Sequence, residues 1–365
     1  MITRYILTAI IGIAACAPLH AQESRTSIGG YGEVHYNEPE GSRKGVLDVH
    51  RFVIYLNHQF NDWIGFFSET EIEHTWMSSS SGPGELGIEQ AYLEFTPWRD
   101  WGIRAGVLLP PVGIINQVHE PNTFHGVERP SFHRVIIPTT WREVGAGVFV
   151  HPLEQLSLQL YTMSSFKADG LNDANGLRGG RQRAAEASSA DMGFTGRLDV
   201  MPLAGLSVGA SFFTGGVTAG NPLLGDAGVS IVAADLRYSI GQFALRAEGA
   251  FISVNDADKV NAVHNKKVAD RMNGYYVEAA YDILPHLADS EQQLFVFTRY
   301  EGYNTQAETT GFDPNGAYDR TDITTGLTWK PDPNVAVKLD YQLLDNAVVD
   351  KASGQLNIGI GWAFF

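Results

Sequence analysis

From Ser27 to Phe365 the apolar and polar residues alternate with a period of two rather than 3.6. In 191–202, Phe194, Leu198 and Val200 share one parity, and Thr195, Arg197 and Asp199 share the other. In 155–165, Leu156, Leu158 and Leu160 oppose Ser157, Gln159 and Tyr161. In 241–254, Phe243, Leu245, Ala247 and Phe251 oppose Arg246 and Glu248, and in 334–345 Val335, Val337, Leu339, Tyr341 and Leu343 oppose Lys338, Asp340 and Gln342. Successive side chains of a strand point to opposite faces. Each segment therefore predicts a strand with one greasy and one wet face. The pattern predicts sixteen strands, over 27–37, 46–59, 63–76, 85–97, 101–109, 141–152, 155–165, 191–201, 205–216, 229–240, 242–253, 273–284, 293–304, 320–331, 334–345 and 355–365. Their connections alternate too. Asn61-Asp62, Gly241 and Asp332-Pro333 are short, whereas 38–45, 77–84, 110–140, 166–190, 217–228, 254–272, 305–319 and 346–354 are long.

A single alternating segment fits a soluble sandwich equally well. The full set, with its strict short-then-long connections, fits a transmembrane β-barrel with short periplasmic turns and long external loops. Closure matters, because every backbone polar group in lipid must find a partner within the chain. The expected fold is all-β: a transmembrane antiparallel barrel of about sixteen strands with both ends periplasmic.

The extreme N-terminus changes the picture. Residues 1–21 carry Arg4, a short apolar stretch over Tyr5–Ala15, and Leu19-His20-Ala21 before Gln22. This reads as a cleaved export signal, leaving 22–365 as the barrel domain. Ile13-Ala14-Ala15-Cys16 admits a second reading, in which Cys16 is lipidated; it is the only cysteine of the 365 residues. Elsewhere no run of about 18 apolar residues offers a transmembrane helix. Charged residues make up 18% and the net charge is −15. So acidic a chain lacks the basic surface that nucleic-acid binding needs.

Aromatic residues add boundaries. Trp63, Trp98, Trp101 and Trp329 lie beside short turns, and Trp76 and Trp141 at loop ends. Amphipathic rings favour the lipid–water boundary, although a core tryptophan is the alternative at each site. The last strand ends in Trp362, Phe364 and Phe365, with the apolar register running through Phe364. It resembles the terminal signal read by the outer-membrane assembly machinery, with either phenylalanine as its final residue.

The longest connection, 110–140, is the third external loop. It contains Pro110–Ile114, His119–Phe124 and Gly126–Pro130, and leads into Ile136–Glu143; the fourth loop carries Gly176–Gln182. These segments resemble the phosphate-selective porin O/P family. The resemblance implies a water-filled channel, a third loop folded into the lumen, and a homotrimer in outer-membrane lipid and lipopolysaccharide. Five prolines between 110 and 138 keep this loop out of the sheet. His119, Glu120, His125, Glu128, Arg129, His133 and Arg134 are its candidate constriction residues. Either they face solute or they hydrogen-bond within the loop. Residues 119, 125 and 133 lack standard ligand spacing, so neither a metal nor a cofactor is expected.

Charges on one strand parity should face water. Arg51, Glu69, Glu71, Glu73, Arg104, Arg197, Arg237, Arg246 and Arg299 are the lumen-wall candidates. Most should pair into wall networks; opposite signs across a narrow passage would also create a transverse field, and rings of charge set ion preference. Acidic wall candidates outnumber basic ones, which points to general or weakly selective diffusion, with a phosphate- or anion-selective porin as the alternative. No catalytic motif stands out. The nearest approach to a lipid-facing hydrolase is His74, on the outward parity with Ser68 and Thr70. An adhesin or receptor barrel, using the external loops, is the alternative from another class.

Overall fold

A computed structural model describes residues 25–41, 44–75 and 84–364. The proposed export signal with Cys16, and also Trp76 and Phe365, lie outside the described residues. The strands are β1 Thr26–Pro39, β2 Val46–Asn61, β3 Ile64–Glu73, β4 Leu86–Phe95, β5 Trp101–Leu108, β6 Glu143–Leu153, β7 Leu156–Ser164 and β8 Met192–Leu203. They continue as β9 Leu206–Gly216, β10 Gly228–Ile240, β11 Phe243–Asn255, β12 Arg271–Asp282, β13 Gln293–Glu308, β14 Asp319–Asp332, β15 Val335–Asn346 and β16 Ser353–Phe364. Each pairs antiparallel with its sequence neighbours, and β1 pairs with β16 to close the barrel. All sixteen strands inferred from alternation are present.

Parity sets the two faces. Phe194, Leu198, Val232, Phe251, Leu339 and Phe364 are exposed on the outer wall, while Thr195, Arg197, Glu248 and Asp340 are buried inside. An outer belt of this kind suits lipid. No described helix is long and apolar enough to cross a membrane. The longer of the two α-helices among the described residues, Ala257–His264, lies in the sixth external loop, where no helix was expected.

Two departures from strict alternation shape the interior. The β1–β2 register jumps from Glu33↔Arg51 to Val34↔Val49, leaving His50 as an extra residue. The β3–β4 register jumps from Glu69↔Gln90 to Thr70↔Ile88, leaving Glu89 as an extra residue. Such bulges re-aim side chains. They are why Asp48 and Arg51, of opposite parity, line the same cavity, and why Glu89 is fully buried.

Trp141 departs from its expected boundary position. It is fully buried, against Phe166 and Phe213 at ring distances of 4.5 and 4.8 Å. Trp63, Trp98 and Trp329 are exposed near the short turns, and Trp101 stacks on Trp98 at 3.7 Å.

Candidate functional site

The third loop folds into the lumen and crosses it. Its ends are stapled by Asn116, whose Nδ2 donates to Pro110 O (2.8 Å) and whose Oδ1 accepts from Trp141 N (2.8 Å). From there the loop reaches wall after wall. Gly113 N donates to Ser211 Oγ on β9 (3.2 Å), and Ile114 N to Glu248 on β11 (3.3 Å). Val127 N donates to Asp340 on β15 (2.6 Å), and Phe132 N to Glu301 on β13 (2.9 Å). These wall carboxylates satisfy loop amides that are shut away from water, so the fit is held by groups costly to leave unpaired.

Close approach needs small residues at the crossing points. A Cβ at Gly361 would lie 2.5 Å from Pro121, and one at Gly359 would lie 2.9 Å from Val127. The inward glycines of the Ile-Gly-Ile-Gly run in β16 are therefore the seat of the loop.

Beneath the loop lies an apolar filling. Val112, Ile115, Phe132, Ile136 and Ile137 pack with inward Ile231, Ala233, Ala250 and Ile252 in one buried cluster. Loops four to six add Leu171, Leu177, Leu224, Val260 and Val268 to it. This side of the lumen is dry.

The opposite side is charged. Arg51 pairs with Glu33 (2.6 Å) and Glu71 (3.2 Å). His119 Nε2 faces Glu89 (3.1 Å) and Glu69 (3.6 Å). Burial opposes a charge on His119, but the adjacent Glu89 carboxylate dominates the balance with Glu69, and its pKa rises to about 10. Tyr31 is fully buried among these groups, its ring 5.9 Å from Tyr55 and 6.0 Å from His119. On the external side of this layer is a cavity of about 950 Å³, bordered by Glu33, Arg51, Glu128 and Arg129. On the turn side is one of about 270 Å³, bordered by Tyr55, Glu69, His119 and Glu120.

The remaining candidates divide by environment. Arg197 is locked between Asp199 and Asp235, at 2.7 and 2.8 Å, and Arg299 between Glu278 and Glu301, at 3.3 and 2.8 Å. Arg104 pairs with Glu94 at 2.7 Å, and Arg237 with Asp199 at 3.2 Å. Arg246 donates to Thr123 O of the third loop at 2.6 Å. His133 is buried against Glu248 at 2.8 Å. His125 is buried beside Phe295 and Phe297. Glu128 borders the external cavity and accepts from Asn37. Glu73, Arg129 and Arg134 border it as well.

Reading the sequence missed three groups. Glu89 was hidden by its bulge. Arg142, at the loop exit, faces Glu89 at 3.6 Å. His74 was assigned outward with Ser68 and Thr70, and this is corrected: β3 stops at Glu73 and His74 turns with φ +54°. Its ring enters the external cavity and bonds Asp48 at 2.6 Å. That removes the side chain on which the lipid-facing hydrolase reading rested. A histidine just past a strand end is one of the few non-glycine types at home in the left-handed region, and that was the available signal.

On the loop side of the external cavity stand Arg129, Arg134, Arg178, Arg181 and Arg183; on the strand side stand Glu33, Asp48 and Glu73. Arg178 and Arg181 donate to Thr139 O and so fasten the fourth loop to the third. Burial and the surrounding guanidinium groups press the pKa of both downward. Guanidinium does not give up its proton, so the positive charge stays; Arg183 is matched by Glu85 at 2.8 Å, and Arg178 and Arg181 bond to carbonyls.

A closed sixteen-strand barrel with its third loop across the lumen defines the class: the outer-membrane porin fold. Solved structures agree on the fold. An anion-selective porin from Comamonas acidovorans superposes with a TM-score of 0.59 at 13% identity, over 94% of this chain and 100% of that one. A loop-deletion mutant of OmpT, an outer membrane protein of Vibrio cholerae, gives 0.58 at 12%, over 93% and 98%. OmpF of Salmonella typhi, in complex with daunomycin, gives 0.57 at 14%, over 93% and 97%. No protein-family model matches the chain. The chain belongs to the same family as an uncharacterized protein of Aquifex aeolicus (strain VF5), 36% identical over 341 residues, which are 90% of this chain and 77% of that one.

Proposed function

We propose that this protein is an outer-membrane porin, a channel for passive diffusion of small hydrophilic solutes and ions. It reaches the membrane through an export signal over 1–21, is inserted by the barrel-assembly machinery through the C-terminal sequence that carries Trp362, Phe364 and Phe365, and works as a homotrimer. The ends of the conducting path are the two cavities on the β1–β4 side, the external one and the one at Glu120, and the buried layer of Tyr31, Arg51 and His119 between them is the constriction. The observation that carries this reading is the arrangement of charge along that side: arginines predominate on the loops and carboxylates on the strands around one cavity, with Glu128 and Arg51 as the exceptions. Opposed charge across a passage orients dipolar solutes and sets ion preference.

One observation favours a narrower reading. Among the described residues Arg134 has no ion-pair partner, and Arg178 and Arg181 bond only to carbonyls. The external mouth is therefore locally basic although the chain is acidic, which supports anion preference and keeps the phosphate-selective reading of the O/P resemblance in play. Reversal potentials in planar bilayers under salt gradients test both. A weak preference supports general diffusion; strong anion selectivity with current saturating in phosphate supports the narrower function. A barrel that passes no current would favour an adhesin or receptor.

A further inference from the structure

The external cavity holds a cluster of which the pore reading uses only the Asp48 carboxylate. Asp48 and His50 come from β2, and His74 from the left-handed turn after β3. His74 Nδ1 lies 2.6 Å, and His50 Nδ1 3.3 Å, from Asp48 Oδ2. One ligand atom from each of the three residues lies within 4.8 Å of the others. Ligand atoms around a tetrahedral zinc ion, bound at about 2.0–2.1 Å, are spaced about 3.3 Å apart. The His50–Asp48 separation of 3.3 Å already matches that spacing, and the His74–Asp48 separation of 2.6 Å is short of it by about 0.7 Å. The three side chains are half-buried and border the external cavity, so an ion has a route in from outside.

We propose that Asp48, His50 and His74 form a binding site for a divalent transition-metal ion of the zinc, nickel or copper type. Two imidazole nitrogens and one carboxylate oxygen suit that class and not calcium or magnesium, which take oxygen ligands. Three protein ligands leave a fourth position open toward the cavity, as in accessible rather than closed zinc sites. The surroundings fit. His35 stacks on His50 with ring centroids 4.6 Å apart and planes at 10°, which holds the orientation of the His50 ring. The basic groups beside the cluster already have acidic partners, Arg51 in Glu33 and Glu71 and His35 in Glu33 and Glu128. The bulge at His50 and the positive φ at His74 aim these two rings at Asp48.

The test is zinc binding to the full barrel in detergent, read by calorimetry, with calcium as the comparison ion. We expect one zinc per chain and no comparable calcium binding. His74→Ala and Asp48→Asn should each weaken zinc binding by about tenfold or more, since even outer-shell losses cost that much. His286→Ala, at an exposed site on the turn side, should leave it unchanged. Barrel formation is checked for every variant by circular dichroism; should His74→Ala not fold, His50→Gln takes its place. Wild type that takes up no zinc, or folded variants that bind it as wild type does, would overturn the site. This measurement needs no current through the pore, so its result stands apart from the porin reading.

Discussion

The two flanks of the lumen are built from the same alternating strands, yet they have become different materials. Along β9–β12, inward Ile231, Ala233, Ala250 and Ile252 meet the third loop and exclude water. Along β1–β4, inward Glu69 and Glu89 meet it through His119, and Glu33, Arg51 and Glu71 pair with one another beside it, with cavities above and below. The dry flank gives the loop a floor built mainly of apolar contacts, with Glu248 as a charged anchor for Ile114 and His133. A charged flank keeps water and a field beside it. One loop is thus anchored on one side and presented as a wall on the other.

The dry flank should break first in stability. Phe132 is fully buried and meets Tyr276 at 5.7 Å, so Phe132→Ala should cost about 3–5 kcal/mol, measured by urea unfolding of the barrel in detergent. Were the cost no larger than that of a surface change, the apolar filling would not anchor the loop. On the charged flank the effect should appear in permeation instead. Arg134 is exposed at the mouth, so Arg134→Glu with Arg178→Glu should lower the anion-to-cation permeability ratio by about twofold or more, read from reversal potentials, with the fold retained.

The third prediction sharpens the boundary between the flanks. The folded-state pKa of His119 is raised to about 10, where burial opposes and Glu89 more than compensates. A raised value means that its contribution is complete below the ordinary histidine range near 6.5 and is lost as pH climbs through about 10. The stability gap between wild type and His119→Gln should therefore be wide at pH 6 and narrow by pH 10.5, in thermal unfolding at each pH. A gap that widens with pH would show that His119 is held neutral. Smallest of all, Arg271 and Glu308 pair at 3.1 Å with both side chains largely exposed; Arg271→Ala should leave stability and conductance within error, because such pairs are screened by water.

Much of this was legible in order along the chain. Strand number, outer face and loop lengths follow from parity, because lipid accepts one face and water the other. The lumen charges Arg197, Arg246 and Arg299 could be placed on the same ground. What parity could not supply were the exceptions to itself. The extra residues at His50 and Glu89 shift register within a strand, and only pairing with a neighbour shows which residue is extra. The apolar inward residues of β10 and β11 look like ordinary strand residues until a loop comes to cover them.

Alternation along the sequence therefore determined that the chain closes into a barrel, since a period of two is a local property and recurs in every segment. Which residues the third loop would meet was decided by the tertiary structure alone. Val127 finds Asp340, and Pro121 finds Gly361, across more than two hundred residues of chain. No local pattern carries information over such a separation; the closed wall brings those groups within reach, and the arrangement that leaves the fewest buried polar groups unpaired is the one that persists.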